Sequence, residues 1–156
     1  MSTIRSYLSL VKFSHTVFAL PFAVIGFVIG LHNAPTSSFD YFLLLWVLIC
    51  MVTARNAAMA FNRWADRDID ALNPRTRMRE IPSGAIKSSH ALIFVIINSV
   101  VFLISAFQIN SLCFILSPVA LAVVLGYSYT KRYSWLCHLF LGLGLSLAPL
   151  GAYLAV

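Results

Sequence analysis

Five apolar stretches, at about 16 to 31, 41 to 61, 91 to 107, 112 to 129 and 135 to 156, constrain this chain more than any other feature. Each lies near the roughly 17–25 residues that an α-helix needs to cross a bilayer. Helices are the only spanning form open to them, because the runs lack the period-2 alternation of barrel strands and an open sheet cannot satisfy its backbone in lipid. Composition agrees: 60% of residues are apolar and 10% charged, against about 45–50% and about 25% in soluble domains. The expected fold is all-α, an integral membrane helical bundle of about five transmembrane helices, with residues 1–156 forming a single transmembrane domain.

Eleven Lys and Arg against five Asp and Glu give a net charge of +6. Nucleic-acid binders spread such an excess over a solvated surface, whereas here it sits in short connections. Arg5 and Lys12 precede the first run, six basic residues lie between 62 and 90, and Lys131 and Arg132 separate the fourth run from the fifth. The connections at 32 to 40 and 108 to 111 hold no Lys or Arg. This alternation is the positive-inside pattern, with the N-terminus on the cytoplasmic face of, in a bacterium, the inner membrane.

The basic then apolar start also has the outline of a secretory signal, but no A-x-A cleavage site follows before Asp40, so the first run reads as a retained span. Cys50, Cys113 and Cys137 form no CxxC pair and read as packing residues. Pro21, Pro118 and Pro149 fall inside spans, and Gly26 and Gly30 form a GxxxG pair suited to close helix packing. The last run stops on LGAYLAV with no polar anchor, the pattern of a truncated chain.

Four of the five carboxylates, Asp66, Asp68, Asp70 and Glu80, fall in one connection. The second run continues as ARNAAMAFNRWADRDIDALNPRT without a breaker before Asn73-Pro74, which predicts a helix that carries the acids out of the membrane. On it Asn62, Asp66 and Asp70 are spaced i, i+4, i+8 and drift only about 40° per step, forming one polar stripe. Arg55, two turns earlier, shares that face inside an apolar span, where an ionisable group points into a protein cavity. Asp68 lies about 200° from Asp66 and leaves the stripe toward Arg67, Arg63 or loop charges.

A solvated helix end would also alternate charges, but equal acids one turn apart repel. An amide oxygen and two carboxylates on one face suit Mg²⁺, a hard cation commonly shared with substrate phosphates. Arg63, Arg67, Arg75, Arg77 and Arg79 surround the acids and are suited to phosphate oxygens. Two like charges at about 4 Å cost about 4 kcal/mol at an effective dielectric of about 20, so a diphosphate could sit near these acids only with the metal between. A metal-diphosphate site at the mouth of an apolar bundle fits a substrate with a charged head and a greasy tail. Isoprenyl diphosphates have that form, and the chemistry they imply is prenyl transfer to an electron-rich acceptor.

The segment FNRWADRDID with the following NPRTRMREIPSG resembles the first aspartate-rich motif of the UbiA superfamily of intramembrane aromatic prenyltransferases. The opening KFSHTVFALPFA resembles the first span of its 4-hydroxybenzoate polyprenyltransferase-like members, and YSYTKRYSW resembles the Tyr-x-x-x-Lys segment, with Tyr127 and Lys131 at the matching positions. The resemblance covers most of the chain in register. It implies that Asn62, Asp66 and Asp70 bind Mg²⁺ and polyprenyl diphosphate, with Asp66 and Asp70 catalytic. It further implies substrate binding by Arg55, Arg63, Tyr127, Lys131 and Arg132, with Lys131 and Arg132 gripping the diphosphate. Arg63 stands where many members carry Asp, a departure that leans toward quinone-pathway branches. The family fold is a bundle of about nine helices with a second aspartate motif, so this sequence reads as its N-terminal part.

The implied reaction moves a polyprenyl group to an aromatic acceptor such as 4-hydroxybenzoate, in ubiquinone or menaquinone biosynthesis. Alternatives are the same chemistry on a futalosine-pathway intermediate, naphthoate, haem or a chlorophyll precursor, a half that works only with another chain, or a non-catalytic membrane fragment. The Asp-Gly and Ala-Arg elements of a CDP-alcohol phosphotransferase are missing around Asp66. Lys131 and Arg132 would serve topology alone in a bland reading. His15, His90, His138, Trp64 and Trp135 read as interfacial residues, His15 with a lesser claim on the aromatic acceptor.

Overall fold

The computed structural model describes residues 3–34, 39–133, 135 and 137–156, with backbone alone for residue 3 and for 131–133. Among the described residues the regular structure is entirely helical. The order is α1 (Thr3–Leu10), α2 (Phe13–Asn33), α3 (Tyr41–Ala65), α4 (Arg67–Leu72), α5 (Ser88–Ile109), α6 (Ser111–Tyr133) and α7 (Cys137–Leu154). Five of these, α2, α3, α5, α6 and α7, are long and apolar enough to cross a membrane. The protein is an integral membrane protein.

Helix lengths set where the polar groups emerge. α2, with 21 residues, is about 32 Å long and matches the roughly 30 Å hydrocarbon layer. α3, with 25 residues, reaches about 37 Å, so its last turns, with Asn62 and Arg63, project past one edge of that layer. Its start is fixed by Asp40, whose carboxylate accepts from the Phe42 N–H at 2.8 Å. The one acid remote from the others is thus a helix cap.

The bundle has two buried centres. At the acid-bearing end Leu10, Ala57, Ala60, Ile81, Ile86, Ala91 and Val95 pack together, drawing on α1, α3, α5 and the connection between α4 and α5. At the opposite end Ala23, Phe27, Val47, Met51, Ala152 and Ala155 join α2, α3 and α7. α3 packs along α5, and α2 along α7. α1 is a short amphipathic helix that precedes the first apolar run and that the hydropathy pattern did not announce. It buries Leu10 and exposes Ile4 and Leu8, and Lys12, at φ 51°, turns the chain into α2.

One expectation needs correction. The helix carrying the acids does not run unbroken to Asn73: α3 ends at Ala65 and α4 begins at Arg67. Asp66 sits between them at φ −86°, ψ −2°, the bridge region where turns form. Aspartate is a poor interior helix residue and a good terminal one, which explains the break at this position. Backbone bonds still run from Asp66 N–H to Asn62 C=O at 3.0 Å and from Asp70 N–H to Asp66 C=O at 2.8 Å. The four-residue register of the stripe therefore survives the break.

Candidate functional site

The site forms where α3 gives way to α4 and the connection of residues 73 to 87 folds back. Successive turns shape that connection: Thr76 N–H bonds to Asn73 C=O, Arg79 N–H to Thr76 C=O, and Ile86 N–H to Glu80 C=O. Gly84 at φ +77° supplies the left-handed residue that closes it. Ile81 and Ile86 anchor it in the core. Arg79 and Glu80 are thereby turned inward while Arg75 and Arg77 stay exposed.

Asp66 and Asp70 are both buried, at 8% and 5% exposure. Both oxygens of Asp70 accept from Arg79 Nη1 at 2.8 Å, and the buried Thr76 hydroxyl donates to the Asp70 carbonyl at 3.1 Å. Arg63 is buried too. Its Nε has no hydrogen-bond partner, and the charges acting on it are those of Arg79, Glu80, Asp70 and Asp66. Glu80 accepts from Ser9 Oγ of α1 through Oε1, while its buried Oε2 has no hydrogen-bond partner. With every group ionised these five side chains carry one more negative charge than positive.

Of the five arginines expected around the acids, Arg79 is bonded to Asp70, Arg63 is buried on α3, and Arg75 and Arg77 are exposed. Arg67 pairs with Asp68 at 3.5 Å, donates to the Trp64 carbonyl at 2.9 Å and lies 4.8 Å from the Trp64 ring centroid. Asp68 thus leaves the stripe as its spacing implied, and Trp64, stacked on Phe61 at 5.7 Å, is a packing residue beside the core. Asn62 and Arg55 are half-buried on α3, and Arg55 Nε is buried without a partner. Tyr127 is half-buried on α6, whose backbone includes Lys131 and Arg132, but the side chains of those two lie outside the described residues. The inward pair Arg79 and Glu80 was not singled out by sequence pattern.

The donor set suits a hard cation. Two carboxylates and the Asn62 amide are all-oxygen donors, and a carboxylate has about four lone-pair sites, so Asp70 keeps acceptor capacity while bonded to Arg79. Among the described residues no three His, Cys, Asp or Glu side chains lie close enough to enclose a metal by themselves. A cation here would complete its shell with water or substrate oxygens, as Mg²⁺ commonly does. Two cavities lie elsewhere. One of about 330 Å³ is lined by Ile4, Tyr7, Leu8, Val11, Phe13, Asn56 and Phe94, and one of about 220 Å³ lies at the opposite end against Gly30 and Tyr153.

Fold and site together define a class: a helical membrane protein with an acid and arginine cluster at one mouth of an apolar bundle. Residues 19–156 match the UbiA prenyltransferase family, and the chain belongs to it. It is 32% identical over 109 residues, 70% of its length, to a protein named 4-hydroxybenzoate octaprenyltransferase from Vibrio atlanticus (strain LGP32), of which it covers 38%. The apo structure of a UbiA homolog from Aeropyrum pernix K1 superposes with a TM-score of 0.83 at 36% identity, over 91% of this chain and 50% of that one. A UbiA homolog from Archaeoglobus fulgidus bound to DMAPP and Mg²⁺ shares the fold at a TM-score of 0.80 and 23% identity, over 95% of this chain and 53% of that one. The chain spans about half the length of these relatives, or less.

Proposed function

We propose that this chain carries the first aspartate site of a Mg²⁺-dependent prenyltransferase. The reaction moves a polyprenyl group from its diphosphate to an aromatic acceptor such as 4-hydroxybenzoate, in ubiquinone or menaquinone biosynthesis. The observation that carries the reading is the buried pair Asp66 and Asp70 held among Arg63 and Arg79 at the mouth of the bundle. The family, the name of the Vibrio relative and the DMAPP and Mg²⁺ of the Archaeoglobus structure support it.

Asn62, Asp66 and Asp70 would hold the cation, which when bound neutralises diphosphate and makes it a better leaving group. Arg63 faces the same space from α3 and offers guanidinium donors to phosphate oxygens. Lys131, Arg132 and Tyr127 are assigned to the diphosphate from α6 on the resemblance of their motif, and Arg55 to substrate from deeper in α3. The C–O bond to diphosphate breaks, leaving an allylic cation. The ring carbon ortho to the acceptor hydroxyl forms the new C–C bond and then loses its proton. The apolar side chains of the bundle exclude the water that would quench the cation.

Replacing Asp66 with Ala is expected to abolish Mg²⁺-dependent prenyl transfer, a loss of at least about a hundredfold. Activity retained within tenfold would overturn the assignment. The positive-inside charge pattern supports a cytoplasmic location for the acid-bearing end, with the chain in the inner membrane of a bacterial cell. In right-side-out vesicles a membrane-impermeant thiol reagent is then expected to label Lys12→Cys, in a background with Cys50, Cys113 and Cys137 replaced, only after the vesicles are opened. Labelling of intact vesicles would reverse the topology.

A further inference from the structure

Asp70 is tied at both its backbone and its carboxylate. Its carbonyl accepts from the Thr76 hydroxyl at 3.1 Å, the Thr76 carbonyl accepts from Arg79 N–H at 2.9 Å, and Arg79 Nη1 donates back to both Asp70 oxygens at 2.8 Å. Three residues thus close a circuit of hydrogen bonds between α4 and the connection that follows it. Thr76 and Asp70 are both buried, so little water competes for these bonds. A nitrogen equidistant from both oxygens of a carboxylate sits midway between them, takes up one lone pair of each and leaves the others as acceptors. The charge on both partners makes this contact the strong one in the circuit.

We infer that Arg79 is a positioning residue for the cation site: with Thr76 it fixes the direction in which Asp70 presents its remaining lone pairs, without itself touching the cation. This role rests on the proposed Mg²⁺ and prenyl-diphosphate reading and adds to it two residues that lie after the stripe of Asn62, Asp66 and Asp70. Carboxylates that bind metals are ordinarily held by such partners, and losing one costs about ten- to a hundredfold in metal affinity. The need is plain from where Asp70 stands. α4 has six residues, too few to be a firm support by itself. The connection of residues 73 to 87 is anchored in the core through Ile81 and Ile86, and Arg79 passes that rigidity to the carboxylate.

The sign of one measurement separates this role from a purely electrostatic one. Through space alone a guanidinium repels a cation, so Arg79→Met would lower the Mg²⁺ concentration that binding needs. If Arg79 positions Asp70, the same change raises it, because the carboxylate is released to turn. The experiment is calorimetric titration of the full chain in detergent with geranyl diphosphate at stepped Mg²⁺ concentrations, comparing unaltered protein, Arg79→Met, Arg79→Lys and Thr76→Val. Thermal unfolding is recorded for each. The expected result is a half-saturating Mg²⁺ concentration raised about tenfold by Arg79→Met and about threefold by Arg79→Lys and Thr76→Val. Saturating Mg²⁺ should then bring the Kd for geranyl diphosphate back to within about twofold of the unaltered protein, since the ligands themselves are still present. An unchanged or lower Mg²⁺ requirement in Arg79→Met overturns the inference, and so does a loss of binding that Mg²⁺ cannot restore, the mark of a collapsed connection. If Arg79→Met fails to fold, Arg79→Lys decides, and a Mg²⁺ requirement equal to that of the unaltered protein overturns it. Should the unaltered chain bind no geranyl diphosphate, or bind it equally without Mg²⁺, the reading of the site falls and this inference with it; Mg²⁺-dependent binding that Arg79→Met leaves intact removes the inference alone.

Discussion

The two ends of the bundle are held together by different forces. At the acid-bearing end the chain buries charge: Asp66, Asp70 and Arg63 are buried and Glu80 half-buried, with Asp70 bonded to Arg79 and Glu80 to Ser9. At the opposite end α2 and α7 meet through backbone. A Cβ built on Gly26 would stand 2.2 Å from the Pro149 carbonyl oxygen, and one on Gly30 would stand 2.9 Å from that of Tyr153. In lipid there is little hydrophobic drive between helices, so association relies on this sort of close approach. Asn110 adds a polar seam there, accepting from Cys113 N–H at 2.7 Å and donating to the Leu154 carbonyl at 2.9 Å. One end is specified by charge and the other by shape, and they should fail in different ways.

The larger effect is expected at the end built on shape. Gly26→Val puts side-chain atoms where the Pro149 backbone lies, and neither helix can yield without losing its neighbour's contacts. Overpacking of this kind costs about 3 kcal/mol. SDS-induced unfolding in mixed micelles should show that loss. Gly142→Ala is the internal control: nothing lies within 4 Å of its Cβ, so it should move stability by no more than about 1 kcal/mol. Equal effects of the two changes would mean that α2 and α7 do not meet through Gly26. Geranyl diphosphate binding by the folded fraction of Gly26→Val should stay intact, since Gly26 belongs to the far end.

Much of this architecture is legible in the sequence, for a physical reason that also sets its limit. Hydropathy over some twenty residues reports a helix in lipid directly, so five spans and their all-α character follow from the apolar runs. Gly26 and Gly30 announce a tight contact but not its partner, which lies more than a hundred residues away on α7. The stripe Asn62, Asp66, Asp70 is readable because helical register is local. The break at Asp66 is not, since neither Gly nor Pro marks it and the backbone bonds pass over it. Among the arginines Arg75, Arg77 and Arg79 in a row of turns, spacing cannot say which faces inward. The fold of residues 73 to 87 decides it, through Ile81, Gly84 and Ile86. α1 was hidden because eight residues with Arg5 among them are too short and too polar to register as an apolar run.

A smaller effect is expected at the charged end, where its character can be measured. The Arg79 side chain is one-third exposed while that of Asp70 is buried, so the pair is neither a solvated surface bridge nor a fully buried one. Arg79→Met keeps the stem and removes the guanidinium bonded to the Asp70 carboxylate, which should lower stability by about 1–2 kcal/mol. Asp70→Asn removes the charge from the other side. If the two residues act through their bond, the double variant loses less than the sum of the singles, with a coupling of about 1 kcal/mol. Additive losses would mean that each is held by something else, and that the connection of residues 73 to 87 owes its place to Ile81 and Ile86 alone. Raising ionic strength should shrink this coupling, since the guanidinium is partly open to solvent, and should leave the Gly26 penalty unmoved. A coupling and a Gly26 penalty that responded alike to salt would erase the distinction between an end held by charge and an end held by shape.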